Sequence, residues 1–186
     1  MFEDECWFSR FAQPGLHAWA TTGEALRLVE RDQENEDTEP KALACFGAVR
    51  EDTKQVYLYF CAGQPNSAQT LVVLPWLIEV ARREGKQVLV IIWDRASWHK
   101  SKTVREWVRK HNRQARQEGG VRIIAWMLPS KSPWLNPMEP RWVHARRAVV
   151  EPNGQMTAVE LKRRLGAHFR TEPYMPTLKE SQVELH

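Results

Sequence analysis

Acidic residues next to apolar segments are the first candidates for chemistry in this sequence. Asp94 closes the apolar run KQVLVIIWD, which is typical of a strand that is buried on both faces of a sheet. Sheets of this kind place their ligand sites at the carboxyl ends of the strands. Asp94 is therefore either a cap for the following turn or an acid that faces a ligand, and its position leaves both interpretations open.

A second group of acids lies in the N-terminal segment MFEDECWF, which is predicted to be a short strand. Strand alternation places Asp4 on one face, and Glu3 and Glu5 on the other. A buried unpaired carboxylate is strongly disfavoured, so a buried Asp4 requires a cation, an arginine or water. If the chain end is frayed instead, these acids are ordinary surface residues.

A third acidic position, Glu139, lies in the proline-rich stretch LPSKSPWLNPMEPRW. Asn136 and Glu139 have the spacing of a capping box, with Pro137 at the favoured first helical position. Pro140 fits this interpretation poorly, because it would stand where a backbone N–H makes the first intrahelical bond, and it has none. The helix is therefore predicted to begin at either Asn136 or Pro140.

Hydrophobic periodicity predicts the elements that must position these acids. Strands are expected at MFEDECWF, KALACFGAVR, QVYLYFCAG, KQVLVIIWD and VRIIAWML, and helices at NSAQTLVVLPWLIEVARREG, KSKTVREWVRKHNRQARQEGG and RWVHARRAVV. Asn66 or Ser67 is expected to cap the first helix, and Pro75 to kink it or mark its start. The resulting order, β-β-β-α-β-α-β-α, indicates an α/β domain with a mixed sheet flanked by helices.

Length and composition are those of one globular domain. The chain has 186 residues, 42% of them hydrophobic and 27% charged, which argues against extensive disorder. Its three cysteines have no CxxC spacing and are predicted to be reduced thiols in a cytoplasmic protein. No apolar run is long enough to cross a membrane, and the acidic N-terminus is unlike a signal peptide.

The charge is distributed unevenly along the chain. Residues 98–170 carry 16 basic and 5 acidic side chains, whereas residues 1–97 carry 10 and 15. Such a basic segment indicates a polyanionic partner bound by one face, although an ordinary solvated face has the same composition.

Three segments together resemble the catalytic domain of the DDE transposases: FEDECWF, VLVIIWDRASWHKS and LPSKSPWLNPMEPRWVHARR. The similarity is to the mariner-like bacterial insertion-sequence transposases, which share the fold of ribonuclease H and retroviral integrase. The resemblance therefore implies a ribonuclease H-like fold with a mixed five-stranded sheet. This chain departs from the family pattern at Arg95, at Ser130 and Lys131, and at Pro140.

Carried over by motif position, the resemblance implies that Asp4, Asp94 and Glu139 are the catalytic, metal-binding triad. His99, Asn136 and Glu5 are implied to support the site. Converging carboxylates favour hard divalent cations, so Mg²⁺ (or Mn²⁺) is the expected cofactor, as two ions with Asp94 as the bridging ligand. Water would nick the DNA, and the freed 3′-hydroxyl would then attack target DNA.

The expected partner is DNA, namely transposon ends and target. The basic residues predicted to contact its phosphates are Lys100, Lys102, Arg105, Arg109, Lys110, Arg141, Arg146 and Arg147. Trp98 and Trp134 lie beside the motif acids, where they either stack on displaced bases or pack in the core.

We expect residues 1–170 to form the catalytic domain and residues 171–186 a loosely held tail. No helix-turn-helix pattern precedes the first strand, so such a DNA-binding segment is expected to be separate or missing, and the active complex to be a homodimer. The expected location is the cytoplasm of a bacterium, at the nucleoid when DNA is bound. Two alternatives stay open: a catalytically degenerate DNA-binding remnant, and a ribonuclease H-like nuclease that only hydrolyses.

Overall fold

The structure is a computed structural model that describes residues 1–11, 38–61, 63–149 and 156–174. The elements in chain order are β1 (Phe2–Ser9), β2 (Ala42–Val49), β3 (Val56–Cys61), α1 (Ser67–Arg83), β4 (Val88–Trp93), α2 (Lys102–Glu118), β5 (Arg122–Met127), α3 (Met138–Val149) and α4 (Ala158–Phe169). A 3₁₀ turn, Pro133–Leu135, lies between β5 and α3. The predicted order of strands and helices is confirmed, and α4 is an additional helix that the pattern analysis did not include.

The five strands form one mixed sheet in the order β3-β2-β1-β4-β5. β1, β2 and β3 pair antiparallel, whereas β4 is parallel to both β1 and β5. Phe2 of β1 pairs with Ile92 of β4, so Asp94, two residues further on, comes level with Asp4. The register alone therefore brings two of the predicted site acids to neighbouring positions.

Helices cover the sheet on both faces. On one face, α1 and α2 pack through residues such as Leu74, Leu77 and Val104 against β2, β4 and β5. On the other, α3 and α4 pack through residues such as Trp142 and Leu161 against β1, β2 and β3. Cys6, Cys45 and Cys61 are buried free thiols within these cores. The odd strand positions of β1 therefore face α1 and α2, and the even positions face α3 and α4.

Gly47 of β2 sets how closely α3 approaches the sheet. A Cβ atom at Gly47 would lie 2.4 Å from the Trp142 ring and 2.6 Å from Met138 Cε, so a larger residue there would displace α3. Gly47 pairs with Asp4 in the sheet register. The missing side chain of Gly47 thus leaves the space in which Trp142 reaches Asp4.

Helix ends follow the expected local chemistry. The Asn66 side chain accepts a hydrogen bond from Gln69 N and caps α1, with Pro75 inside the helix. The Ser101 side chain caps α2, and Gly119 ends it in the left-handed conformation.

Beyond α4, Tyr174 N donates to Leu58 O and the Tyr174 ring stacks on Trp76. The boundary predicted at residue 171 stays a prediction, and residues 175–186 lie outside the described part of the chain.

Among the helices that the structure describes, none has both the length and the apolarity needed to cross a bilayer.

Candidate active site

A cleft with a volume of about 460 Å³ opens where β4 ends. All three residues of the predicted triad line it. Its walls are formed by Asp4, Asp94, Arg95, Ala96, Leu128, Pro129, Ser130, Lys131, Ser132, Pro133, Asn136 and Glu139. The carboxyl ends of parallel strands are the usual place for a ligand site in such a sheet, and this cleft occupies that place.

Asp4 reaches the cleft from β1 and is 9% exposed. Its Oδ2 accepts a hydrogen bond of 3.0 Å from Trp142 Nε1, which fixes the orientation of the carboxylate. Two causes raise the pKa of Asp4 to about 8: burial, which is the larger, and the nearby charge of Glu139. Asp4 therefore holds a proton at neutral pH unless a cation approaches.

Asp94 follows the last residue of β4 and is half exposed to the cleft. Its Oδ1 accepts a bond of 2.8 Å from Ala96 N and lies 3.0 Å from His99 Nδ1. The hydrogen bond from His99 lowers the pKa of Asp94, so this carboxylate is ionised at neutral pH. Asp94 caps the turn and also lines the cleft, so the two interpretations of its position are compatible.

Glu139 projects from the first turn of α3, and Asn136 fixes where that turn begins. Asn136 is buried; its Oδ1 accepts from Met138 N at 3.0 Å, and its Nδ2 donates to Glu3 O at 3.0 Å. The helix start is thus tied to the backbone of β1, the strand that carries Asp4.

Pro140 fits this helix start once the backbone bonds are followed. A residue at its position would donate to Asn136 O, and proline has no N–H to do so. Glu139 N donates to Asn136 O instead, at 3.1 Å. The helix therefore begins at Met138, near Asn136. Its first turn is tighter than an α-helical turn, because Asn136 O accepts from Glu139 N rather than from position 140.

A buried cluster lies behind the cleft, on the opposite face of β1. His99 is 1% exposed, and its Nε2 lies 3.1 Å from Glu5 Oε1 and 3.3 Å from Glu3 Oε2. Its ring stacks on Trp93 with centroids 4.5 Å apart, and Trp98 Nε1 donates to Glu5 Oε1 at 2.7 Å. His99 therefore connects β1 to the turn that carries Asp94.

Three acids hold the positive charge on His99. Burial alone would lower its pKa, but the hydrogen bond to Asp94 and the close carboxylates of Glu3 and Glu5 outweigh burial and raise the pKa of His99 to about 12. Burial raises the pKa of Glu3, with a further contribution from Glu5, and neither Glu3 oxygen has a well-aligned hydrogen bond. The cluster is thus an imidazolium surrounded by carboxylates.

Two donor sets could hold a metal ion. Among the described residues, the ligand atoms of Glu3, Glu5 and His99 all lie within 4.8 Å of one another. The ligand atoms of Asp4, Asp94 and Glu139 do not all lie that close together. The first set is closed to solvent and already contains a cation, whereas the triad offers only oxygen donors in an open cleft. Mg²⁺ and Mn²⁺ prefer such oxygen donors, so the triad fits the expected cofactor.

The predicted phosphate contacts lie on two sides of the sheet. Lys100 and the α2 residues are exposed on the side of α1 and α2, and those of α3 lie on the other side. On α3, Arg141 Nη1 donates to Pro137 O and Arg146 Nη2 to Cys6 Sγ. The structure thus places these basic groups on both sides of the sheet, rather than on one helix face. The exposed ones are Lys100, Lys102, Arg105, Arg109, Lys110, Arg146 and Arg147.

Sequence reasoning missed two residues of the site, Glu3 and Trp142. Glu3 shares a strand face with Glu5. A buried Glu3 needs a cationic or hydrogen-bonding partner for the same reason as Asp4, so its pairing could have been expected. For Trp142 the signal was weaker, because only the register of β1 and β2 shows that an indole on α3 reaches Asp4. Trp98 is half-buried, and its indole N–H donates to Glu5; stacking of Trp98 on displaced bases stays a prediction.

Comparisons with known proteins identify the family and the fold of the chain. A sequence model described as "DDE superfamily endonuclease" matches residues 1–160. A search of curated protein sequences gives no match.

Solved structures of Mos1 transposase have the same fold. The "Mos1 transposase paired-end complex with left transposon end" has a TM-score of 0.64 and 16% identity, covering 91% of this chain and 47% of that one. The "Mos1 mariner paired end complex with Mn" has a TM-score of 0.60 and 18% identity, covering 91% and 47%. The chain therefore spans about half the length of the structures it matches.

The ribonuclease H-like fold predicted from the sequence is thus confirmed, as is the resemblance to DDE transposase catalytic domains. The chain belongs to the DDE superfamily endonucleases.

Proposed function

We propose that this chain is the catalytic domain of an insertion-sequence transposase, which cleaves a DNA strand and joins the freed 3′-hydroxyl to target DNA. The observation that carries the proposal is that Asp4, Asp94 and Glu139 line one open cleft at the end of β4. These acids come from three separate segments, and no packing requirement explains why all three face the same solvent-filled space.

Asp4, Asp94 and Glu139 would hold Mg²⁺ or Mn²⁺, which would activate the attacking oxygen and stabilise the leaving one in phosphoryl transfer. The related Mos1 complexes are described as containing Mn or Mg. The residues of this chain prepare the site: Trp142 orients Asp4, His99 orients Asp94 and stabilises its negative charge, and Asn136 ties the start of α3 to β1.

Cleavage of labelled DNA in the presence of Mn²⁺ tests the proposal. Asp94→Asn removes a metal ligand but keeps the shape of the side chain, so we expect cleavage to fall by about a thousandfold or more. Asp52→Asn is the matched control, since Asp52 is similarly exposed and also has a charged partner, Arg50. Equal activity in wild type and Asp94→Asn would exclude this active site, and with it the proposed mechanism.

Strand transfer needs its own assay, because hydrolysis alone is the chemistry of a nuclease. A pre-cut DNA with a free 3′-hydroxyl is incubated with a supercoiled plasmid, and joined products are counted. Joining that depends on Asp94 supports a transposase. Cleavage without joining would identify a hydrolytic nuclease, and DNA binding without either reaction would identify a catalytically degenerate remnant.

We also propose that the exposed basic residues of α2 and α3, together with Lys100, contact DNA phosphates, as the transposon-end DNA in the Mos1 complexes suggests. Each neutralised phosphate releases counterions, so removing one contact should reduce the slope of log K against log salt by about 1. Arg109→Gln on α2 is the test variant, and Arg163→Gln on α4, where Arg163 pairs with Glu160, is the control. Identical salt slopes for both variants and wild type would remove α2 from the DNA-binding surface.

A further inference from the structure

Trp134 is the most exposed large hydrophobic side chain among the described residues, with 73% of its surface accessible. Tryptophan is enriched at binding interfaces, because its indole combines a large apolar area with a polar N–H. The other tryptophans near the predicted site have partners: Trp93 and Trp142 are buried, and Trp98 is bound to Glu5.

The backbone around Trp134 is held firmly. It lies in the 3₁₀ turn Pro133–Leu135, where Leu135 N donates to Ser132 O at 3.1 Å and Asn136 N to Pro133 O at 2.8 Å. Asn136 is in turn anchored to the backbone of β1 through Glu3 O. A ring on such a turn loses little conformational entropy on binding, because its backbone is already ordered.

The turn lies at the rim of the cleft. Pro133 and Asn136, on either side of Trp134 in the sequence, both line the cleft that holds the triad. Two cations, Lys131 and Arg95, line the same cleft and are exposed. An exposed ring beside cations is the combination by which proteins bind single-stranded nucleic acid, with the ring under a base and the cations on phosphates.

We propose that Trp134 forms a base-binding subsite, in which its indole stacks on an unpaired nucleobase of the strand whose phosphate enters the cleft. This inference rests on the proposed function, since it takes DNA as the substrate. A flat aromatic platform has no hydrogen-bonding groups in position to distinguish bases, so the subsite takes any nucleobase that is out of a duplex. Its role is to hold the end of an opened strand beside Asp94.

The test compares DNA with and without unpaired bases. Binding of a fluorescein-labelled duplex with a short single-stranded overhang, and of the same duplex with blunt ends, is measured by anisotropy without divalent metal. We expect Trp134→Ala to weaken binding of the overhang DNA by roughly 5- to 150-fold, the range for one lost base stack. Binding of the blunt duplex should change less than twofold, and Trp134→Phe should retain most of the overhang affinity.

Trp126→Ala is the matched control. Trp126 on β5 is 65% exposed. Pro133, next to Trp134, lines the cleft, whereas neither sequence neighbour of Trp126 does, so removal of Trp126 should leave both affinities unchanged. A 2-aminopurine in the overhang gives an independent signal: wild type should quench its fluorescence on binding, and Trp134→Ala should not.

The outcomes are distinguishable from those of the active-site test. Equal affinities of wild type and Trp134→Ala for the overhang DNA, or equal losses on both DNAs, would overturn the stacking role and leave metal-dependent cleavage by the triad unaffected. A loss with Trp126→Ala as large as that with Trp134→Ala would overturn it as well. If wild type bound neither DNA, both this inference and the DNA-directed function would fail.

Discussion

The two faces of strand β1 carry the same kind of residue and put it to opposite uses. On one face, Asp4 opens onto the cleft together with Glu139. On the other, Glu3 and Glu5 are closed off from solvent around His99. Both faces concentrate negative charge inside the fold, where charge is costly.

The difference lies in where the compensating cation comes from. The closed face contains its own, the His99 imidazolium, which contacts three carboxylates. The open face has an indole N–H at Asp4, and burial, together with the excess charge, raises the pKa of that acid. The charge of one face is therefore compensated within the fold, and the other face is suited to a cation from solution. His99 links them, because its Nδ1 lies against Asp94 of the open cleft.

The largest expected effect comes from removing the cation of the closed face. His99→Ala would leave Glu3 and Glu5 buried without a partner, so we expect the free energy of unfolding to fall by about 3–5 kcal/mol, measured by urea denaturation. His99→Gln restores one N–H donor and should fold with a smaller loss. His144→Ala, at an exposed position on α3, is the control. A loss below about 1 kcal/mol in His99→Ala would show that the closed face does not depend on the imidazolium.

The next effect is on the open face, where a divalent cation should stabilise the fold. At a concentration one hundred times the dissociation constant, a bound ion adds about 2.7 kcal/mol, so Mn²⁺ should raise the melting temperature by several degrees. Asp4→Asn should abolish most of this rise, because it removes one ligand and part of the excess charge. If Asp4→Asn responded to Mn²⁺ like wild type, while Glu5→Gln did not, the ion would bind on the closed face.

A smaller effect is the dependence of metal affinity on pH. The pKa of Asp4 is raised to about 8 by burial and by Glu139, and a metal ion binds only the ionised carboxylate. As pH falls below 8, an ion must displace a proton, so affinity should fall by up to about tenfold per pH unit, or roughly 1.4 kcal/mol. Isothermal titration with Mn²⁺ at pH 6, 7 and 8 measures this. Affinity that is constant across these values would show that Asp4 is not a ligand.

Local patterns in the sequence were enough to predict most of the elements. Strand β4, the cap at Asn66 and the left-handed end of α2 at Gly119 each depend on a few neighbouring residues. The cleft could be predicted as well, because Asp94 ends a buried strand and the motif around Glu139 is distinctive. Long-range pairing was harder, since Glu3 and His99 are far apart in sequence and meet only through the register of β1 and β4. The sides of the sheet taken by α2 and α3 likewise depend on chain topology, so the basic residues could not be assigned to one surface in advance.

The smallest expected effect separates the two faces through a matched pair of indoles. Trp98 Nε1 donates to Glu5 on the closed face at 2.7 Å, and Trp142 Nε1 donates to Asp4 on the open face at 3.0 Å. Replacing either by Phe removes a hydrogen bond worth about 1 kcal/mol, but only Trp142→Phe should also change the stabilisation by Mn²⁺, because only Asp4 is proposed to bind the ion. The measurement is the metal-induced shift in melting temperature of each variant, relative to its own metal-free value. Equal shifts in both variants would mean that the orientation of Asp4 by Trp142 has no influence on the metal site, and that the indole at the open face serves packing over Gly47 alone.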